Sequence, residues 1–171
     1  AGSRGGKVIP YKPLIDAACA EAQSAPPKVL IVDRGLDPGY ARVEGRDVDY
    51  ATMRAQLAGT DVPVEWLESN EPSYLLYTSG TTGKPKGVQR DVGGYAVAMA
   101  LSMWSIYDIR PGQVMFTTSD VGWAVGHSYN VYGPLIAGAT VILYEGLPTS
   151  PDGGIWWKIC ADYGVRTMFS S

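Results

Sequence analysis

Tyr74-Leu75-Leu76-Tyr77-Thr78-Ser79-Gly80-Thr81-Thr82-Gly83-Lys84-Pro85-Lys86-Gly87 runs a short apolar strand straight into a loop of glycine, hydroxyl and lysine. Ten residues, from Thr78 to Gly87, hold four hydroxyls, three glycines and two lysines. Glycine lets the backbone curl until its N–H groups converge on an anion, and hydroxyls and ammoniums supply further donors. The guest that suits this set is a polyphosphate, whose charge the lysines offset without fixed geometry. A solvated Gly/Thr turn with incidental lysines is the plainer alternative. Two familiar phosphate loops do not fit. A Walker A loop needs Gly, four residues, then Gly-Lys-Ser/Thr, whereas Gly83-Lys84 is followed by Pro85 and the first glycine would fall on Thr78. The glycine spacing of Gly80-Thr81-Thr82-Gly83 is also wrong for a dinucleotide fingerprint.

Outward from the loop, strand and helix signals alternate. Val88 to Arg90 can return as a short strand. Tyr95 to Tyr107 is apolar nearly all round and reads as a buried helix. Val114 to Thr117 reads as a strand, residues 119 to 126 as a loop, and Ser128 to Ile136 as a helix broken or ended near Gly133-Pro134. Thr140 to Leu143 is a strand, Gly154 to Tyr163 a helix, and Thr167 to Phe169 the next strand. Before the loop, Leu14 to Gln23 is helical and Val29-Leu30-Ile31-Val32 is a continuous apolar run, the mark of a strand buried on both faces. Residues 34 to 48 are polar, carry three glycines and a proline and read as a loop or exposed hairpin, and a weak helix spans Asp49 to Leu57. This order predicts an α/β fold, a mostly parallel sheet with helices on both faces. Residues 73–171 form its best-defined part.

Composition removes whole classes of function. The net charge is −3, with a pI near 5.1, so no basic field exists for nucleic acid or an anionic membrane. No apolar run approaches the roughly 18 residues of a membrane span, and the chain reads as cytoplasmic. Cys19 and Cys160 are too few for a disulfide framework, and with one histidine they cannot complete a structural zinc site. That histidine, His127, precedes Ser128-Tyr129-Asn130 and misses the nucleophile elbow of a serine hydrolase at its last position. The chain opens without Met and stops within an apolar strand at Thr167-Met168-Phe169, which reads as a portion of a longer protein.

Tyr77 to Gly87 resembles, almost letter for letter, the phosphate loop of the adenylate-forming enzymes. Three further stretches resemble their short-chain acyl-CoA synthetases: Arg4 to Ile9, Ser119 to Tyr129, and Tyr144 to Pro148. On this resemblance the chain is an incomplete portion of the N-terminal domain of an AMP-forming ligase. Such an enzyme turns a short-chain carboxylate, MgATP and CoA into an acyl-adenylate and pyrophosphate, then a thioester. Thr78, Ser79, Gly80, Thr81, Thr82, Gly83, Lys84 and Lys86 would hold the ATP phosphates, with Mg²⁺ bridging their oxygens. The remaining partners implied are a small-molecule carboxylate and the rest of the parent enzyme, with neither nucleic acid nor membrane.

The resemblance also assigns the pocket for the acid. Gly122-Trp123-Ala124-Val125-Gly126-His127 corresponds to the stretch that lines it, where acetyl-CoA synthetases typically carry Val and Thr after Trp. Ala124 is smaller than Val, leaving room for another methylene, worth about 1–3 kcal/mol of discrimination. Gln89 to Tyr95 is more similar to propionyl- than to acetyl-CoA synthetases, so propionate is expected ahead of acetate. Arg4, Gly5, Gly6 and Lys7, together with Val125 and Thr149, are implied as CoA contacts. Val125 and Thr149 depart from the Thr and Asn of the acetyl enzymes. No segment matching the family's ribose, metal or catalytic-lysine elements occurs, so no catalytic residue is assigned and the portion alone is expected to be inactive. The rival reading is a non-catalytic nucleotide- or phosphate-binding module, or an isolated folding subdomain.

Overall fold

The computed structural model describes residues 1–79 and 83–170, in two units. The first comprises Ala1–Val64 with Glu145–Leu147, and the second Glu65–Tyr144 with Pro148–Ser171.

The first unit begins with a hairpin, β1 (Gly2–Arg4) and β2 (Lys7–Ile9), followed by helix α1 (Lys12–Glu21). β3 (Val29–Ile31) pairs in parallel with β4 (Asp47–Asp49), matching Leu30 to Val48. Helix α2 (Tyr50–Gln56) starts at once because Asp49 caps it, its Oδ1 accepting the Thr52 N–H at 2.8 Å. The unit is tied by charge. The Asp47 carboxylate, fully enclosed, accepts from Arg46 Nε at 2.7 Å, Lys12 Nζ at 2.9 Å and the Val43 N–H at 2.8 Å. Asp16 on α1 pairs with both Lys12 and Arg46. One carboxylate thus joins α1, the loop before β4, and β4 itself.

Here the structure differs from the expected doubly buried strand: Leu30 is 56% exposed. β3 has only β4 as a neighbour among the described residues, and beside them lies an open groove of about 750 Å³. Leu30, Val48, Tyr50, Met53 and Leu57 line it, with Lys28 and Arg54 at hand. A parallel pair needs cover on both faces, and α2 leaves this face open.

The second unit holds the apolar core. β5 (Pro72–Thr78) and β6 (Lys86–Asp91) form an antiparallel hairpin, and helix α3 (Gly93–Ser105) follows. The central strand β7 (Val114–Thr117) lies between β8 (Thr140–Ile142) and β9 (Val165–Phe169), all parallel. Two helical crossovers make this connection. The first contains α4 (Ala124–Gly126), a π-helical turn (His127–Tyr132) and α5 (Gly133–Ile136); the second is α6 (Ile155–Asp162). Met103, Ile109 and Met115 form the buried cluster, packed by Tyr107, Tyr129 and Phe169.

The fold is mixed α/β with parallel sheet elements, distributed among four small sheets in the described residues. Two other expectations change. Helix α3 is not buried all round: Met103 is fully enclosed while neighbouring Trp104 is 63% exposed, because only one face meets the core. The expected loop over 119–126 ends early, since Ala124 already opens a helix.

Candidate functional site

The stretch read as a phosphate loop lies between β5 and β6. The last paired residues of this hairpin are Thr78 and Lys86, so residues 79–85 form the connection. Gly80, Thr81 and Thr82 lie outside the described residues. Ser79 and Gly83 to Lys86 are exposed, and Thr78 is half-buried at the strand end. Gly83 has φ +77° with open space where a Cβ would sit, a conformation that disfavours other residues by about 1 kcal/mol or more. Neither Lys84 nor Lys86 has an ion-pair partner among the described residues. Among the described residues, Gly83 at positive φ, the Thr78 and Ser79 hydroxyls and two lysines without an ion-pair partner are groups that suit an anion. No group of three or more His, Cys, Asp or Glu capable of holding a metal occurs among the described residues.

Trp123, Ala124 and Val125 stand where the chain turns from the loop after β7 into α4. Trp123 is 64% exposed, Val125 is exposed and Ala124 half-buried. Asp120 holds the turn with both side chain and backbone: its Oδ1 accepts the Gly122 N–H at 2.7 Å, and its carbonyl accepts the Trp123 N–H at 3.1 Å. Gly126 is indispensable here, because a Cβ would stand 2.0 Å from the Asp120 carbonyl oxygen. From below, buried Asn130 donates Nδ2–H to the Ser119 carbonyl at 2.7 Å. His127 is stacked on Tyr74 of β5, ring centroids 5.3 Å apart. Tyr74 also stacks on Tyr132 and meets Tyr95 edge-on, so β5, α3 and the π-helical turn share one aromatic box.

The residues expected at CoA fall in both units. Arg4 and Lys7 are paired in β1 and β2, and Gly5 and Gly6 form the two-residue turn between them, with φ +57° and +76°. Two successive positive φ values are the type I′ geometry that suits a tight hairpin. Both cations are exposed at its tip. Within the same unit Leu147 lies against Gly5, 3.6 Å from the position of an added Cβ. Val125 and Thr149 belong to the second unit, where Thr149 is exposed.

The family model described as "AMP-binding enzyme" matches residues 9–171. The chain belongs to the AMP-binding enzyme family. Among AMP-binding enzymes it is 63% identical, over all 171 of its residues, to the propionate–CoA ligase of Salmonella typhimurium. It is 45% identical over 99% of its length to the human mitochondrial acyl-CoA synthetase short-chain family member 3. The acetyl-coenzyme A synthetase of Novosphingobium aromaticivorans is 38% identical, again over 99% of the chain. The chain spans 27%, 25% and 26% of these relatives respectively, about a quarter of each.

The structure adds residues that pattern reading passed over. Glu145 pairs with both guanidinium nitrogens of Arg34, one contact at 2.8 Å, and this hydrogen bonding holds its carboxyl below the usual carboxylate range. A further hydrogen bond from the Ser3 backbone acts in the same direction, so Glu145 links the hairpin to the 145–147 segment. Separations of 111 residues between Arg34 and Glu145 leave no local signal of such a pair. Tyr95 and Ser128 escaped notice for the same reason, being 33 residues apart.

Proposed function

We propose that this chain is the phosphate-loop portion of an AMP-forming ligase that activates a short-chain carboxylate, propionate ahead of acetate, and passes it to CoA. The observation that carries the reading is 63% identity, along the whole chain, to a bacterial propionate–CoA ligase. The loop supports it with the positive φ of Gly83 and with two exposed lysines that have no ion-pair partner among the described residues, features suited to a polyphosphate. In this reading Thr78, Ser79, Gly80, Thr81, Thr82, Gly83, Lys84 and Lys86 bind the ATP phosphates. Donors fixed before the reaction stabilise the charge that builds on the α-phosphate when the carboxylate attacks. Mg²⁺ supplies further charge neutralisation when it arrives with the nucleotide. Trp123, Ala124 and Val125 wall the acid pocket. Arg4, Gly5, Gly6 and Lys7, with Val125 and Thr149, receive CoA. The remainder of the longer protein supplies the catalytic lysine, and residues 73–171 act as the α/β part that carries the loop. The cytoplasm is the compartment this reading assigns; the human relative, named as mitochondrial, offers the other option.

The test is made on the full-length protein, with AMP release measured for propionate and acetate. Propionate is expected to have the higher kcat/KM. Ala124→Val fills the room for one methylene and should move the propionate-to-acetate ratio toward acetate by about tenfold, equivalent to about 1.4 kcal/mol. A ratio that stays within about twofold of wild type removes Ala124 from the pocket wall.

A further inference from the structure

The Ala124 carbonyl receives a side-chain hydrogen bond as well as its helical one. The Ser128 hydroxyl donates to it at 2.9 Å, and the Tyr95 hydroxyl lies 2.8 Å from the same Ser128 Oγ. A serine hydroxyl has one proton, and Ser128 spends it on Ala124, so Tyr95 must be the donor to Ser128. Tyr95 is well placed to remain a donor. It is buried on α3, boxed edge-on by Tyr74 and Tyr132, and the Arg90 guanidinium lies 5.7 Å from its ring centroid. Burial, the first cause, pushes its phenol up to about 12, so it keeps its proton throughout the neutral range.

The bonds fall where the helix is least able to hold itself. Ala124 to Gly126 form a single α-turn that passes at once into the π-helical turn His127–Tyr132. The π form is rare and short-lived in sequence terms, so its residues depend on outside contacts for their positions. On one side the Ser119–Trp123 loop is locked against Gly126 and Asn130. On the other, α3 meets the π-helical turn through the Tyr95–Tyr132 ring contact and reaches Ala124 through the Tyr95–Ser128 hydroxyl chain.

We propose that Tyr95 and Ser128 are positioning residues for carboxylate selectivity, acting by fixing the Ala124 backbone from the α3 side. The proposal rests on Trp123, Ala124 and Val125 being the wall of the acid pocket. Neither hydroxyl need touch the acid. A wall that is held rigid rejects a chain one methylene too long, while a wall that can retreat by a fraction of an ångström admits it.

The test uses full-length protein and kcat/KM for acetate, propionate and butyrate, with KM for ATP measured alongside. Tyr95→Phe keeps the ring in its box and deletes the donor; Ser128→Ala deletes the relay. Each should raise the butyrate-to-propionate ratio at least threefold while KM for ATP stays within twofold. Ser128→Thr, which restores a hydroxyl, should return the ratio toward wild type. A ratio unmoved in both Tyr95→Phe and Ser128→Ala overturns the proposal. Equal losses for all three acids overturn it too, since they signal a structural role only. If Tyr95→Phe does not accumulate as folded protein, Ser128→Ala decides alone. Ala124→Val in the same assay separates the two readings. Where it shifts selectivity and the hydroxyl variants do not, the pocket stands and the relay falls; where none of the three shifts it, both fall.

Discussion

In residues 1–64 the side chain most completely enclosed among charged groups is Asp47, surrounded by Arg46, Lys12 and a backbone N–H. In the second unit the largest fully enclosed side chains are the apolar Phe116, Met103, Met115 and Pro134. Neither helix of the first unit buries a single residue, whereas α3 alone buries four. The contrast teaches that one chain can organise neighbouring regions by different forces. Apolar burial is non-directional and follows from area, whereas an enclosed carboxylate demands that every partner arrive with the right geometry. The first kind of order tolerates a change of pH; the second does not.

The largest effect should come from breaking the apolar side. Phe116 is 1% exposed and meets Trp156 edge-on at 6.4 Å. Phe116→Ala should cost about 3–5 kcal/mol, read from urea denaturation of the full-length protein. A loss below about 1 kcal/mol would mean that this core is not what holds the central strand.

Acid should break the other side. The Arg46 hydrogen bond leads the causes that hold the Asp47 carboxyl well below the usual carboxylate range, and Lys12 does the same for Asp16. A depressed folded value means that the stabilisation is fully present above the unfolded value, about 3.9 for Asp, and drains away as pH falls below it and through the folded values. Hydrogen exchange, with labelling times scaled for intrinsic rates, should therefore show β3 and β4 losing protection in acid before β7. Asp47→Asn should remove much of that protection already at neutral pH. Simultaneous loss in β3, β4 and β7 would erase the distinction between the regions.

The smallest effect sharpens the contrast by showing what kind of charge pair matters. Lys158 and Asp162 are 2.6 Å apart on α6 but lie in solvent, where screening and side-chain entropy cancel most of the attraction. Lys158→Ala should leave the denaturation midpoint unchanged within error. A clear drop would mean that exposed pairs count here as well.

The sequence disclosed α1, β3 and α2 of the first unit as closely as the helices and strands of the second, but it did not disclose what ties the first unit together. Apolar periodicity marks elements that bury apolar area, so β7, β8, β9 and α6 were legible within a few residues of their ends. The Asp47 cluster leaves no such trace, because Lys12, Asp16, Arg46 and Asp47 read individually as surface charges. β4 is hidden likewise: Asp47-Val48-Asp49 has a single apolar residue and becomes a strand only because β3 is beside it. Of the candidate site, the loop glycines and the Trp123 stretch stood out by composition and by family resemblance. The hydroxyl chain behind Ala124 did not, since helix α3 and the π-helical turn meet only in the folded chain.

Gly126 sits directly after half-buried Ala124 and exposed Val125, and it is the one of the three that cannot acquire a side chain. The other two already carry side chains that meet solvent in part or in whole. The turn therefore divides its positions into a fixed pin and two solvent-touching tips. Substitutions at the tips can be sampled one at a time without dismantling the support beneath them. A lineage built on this turn can try new surfaces by single steps, each starting from a chain that still folds.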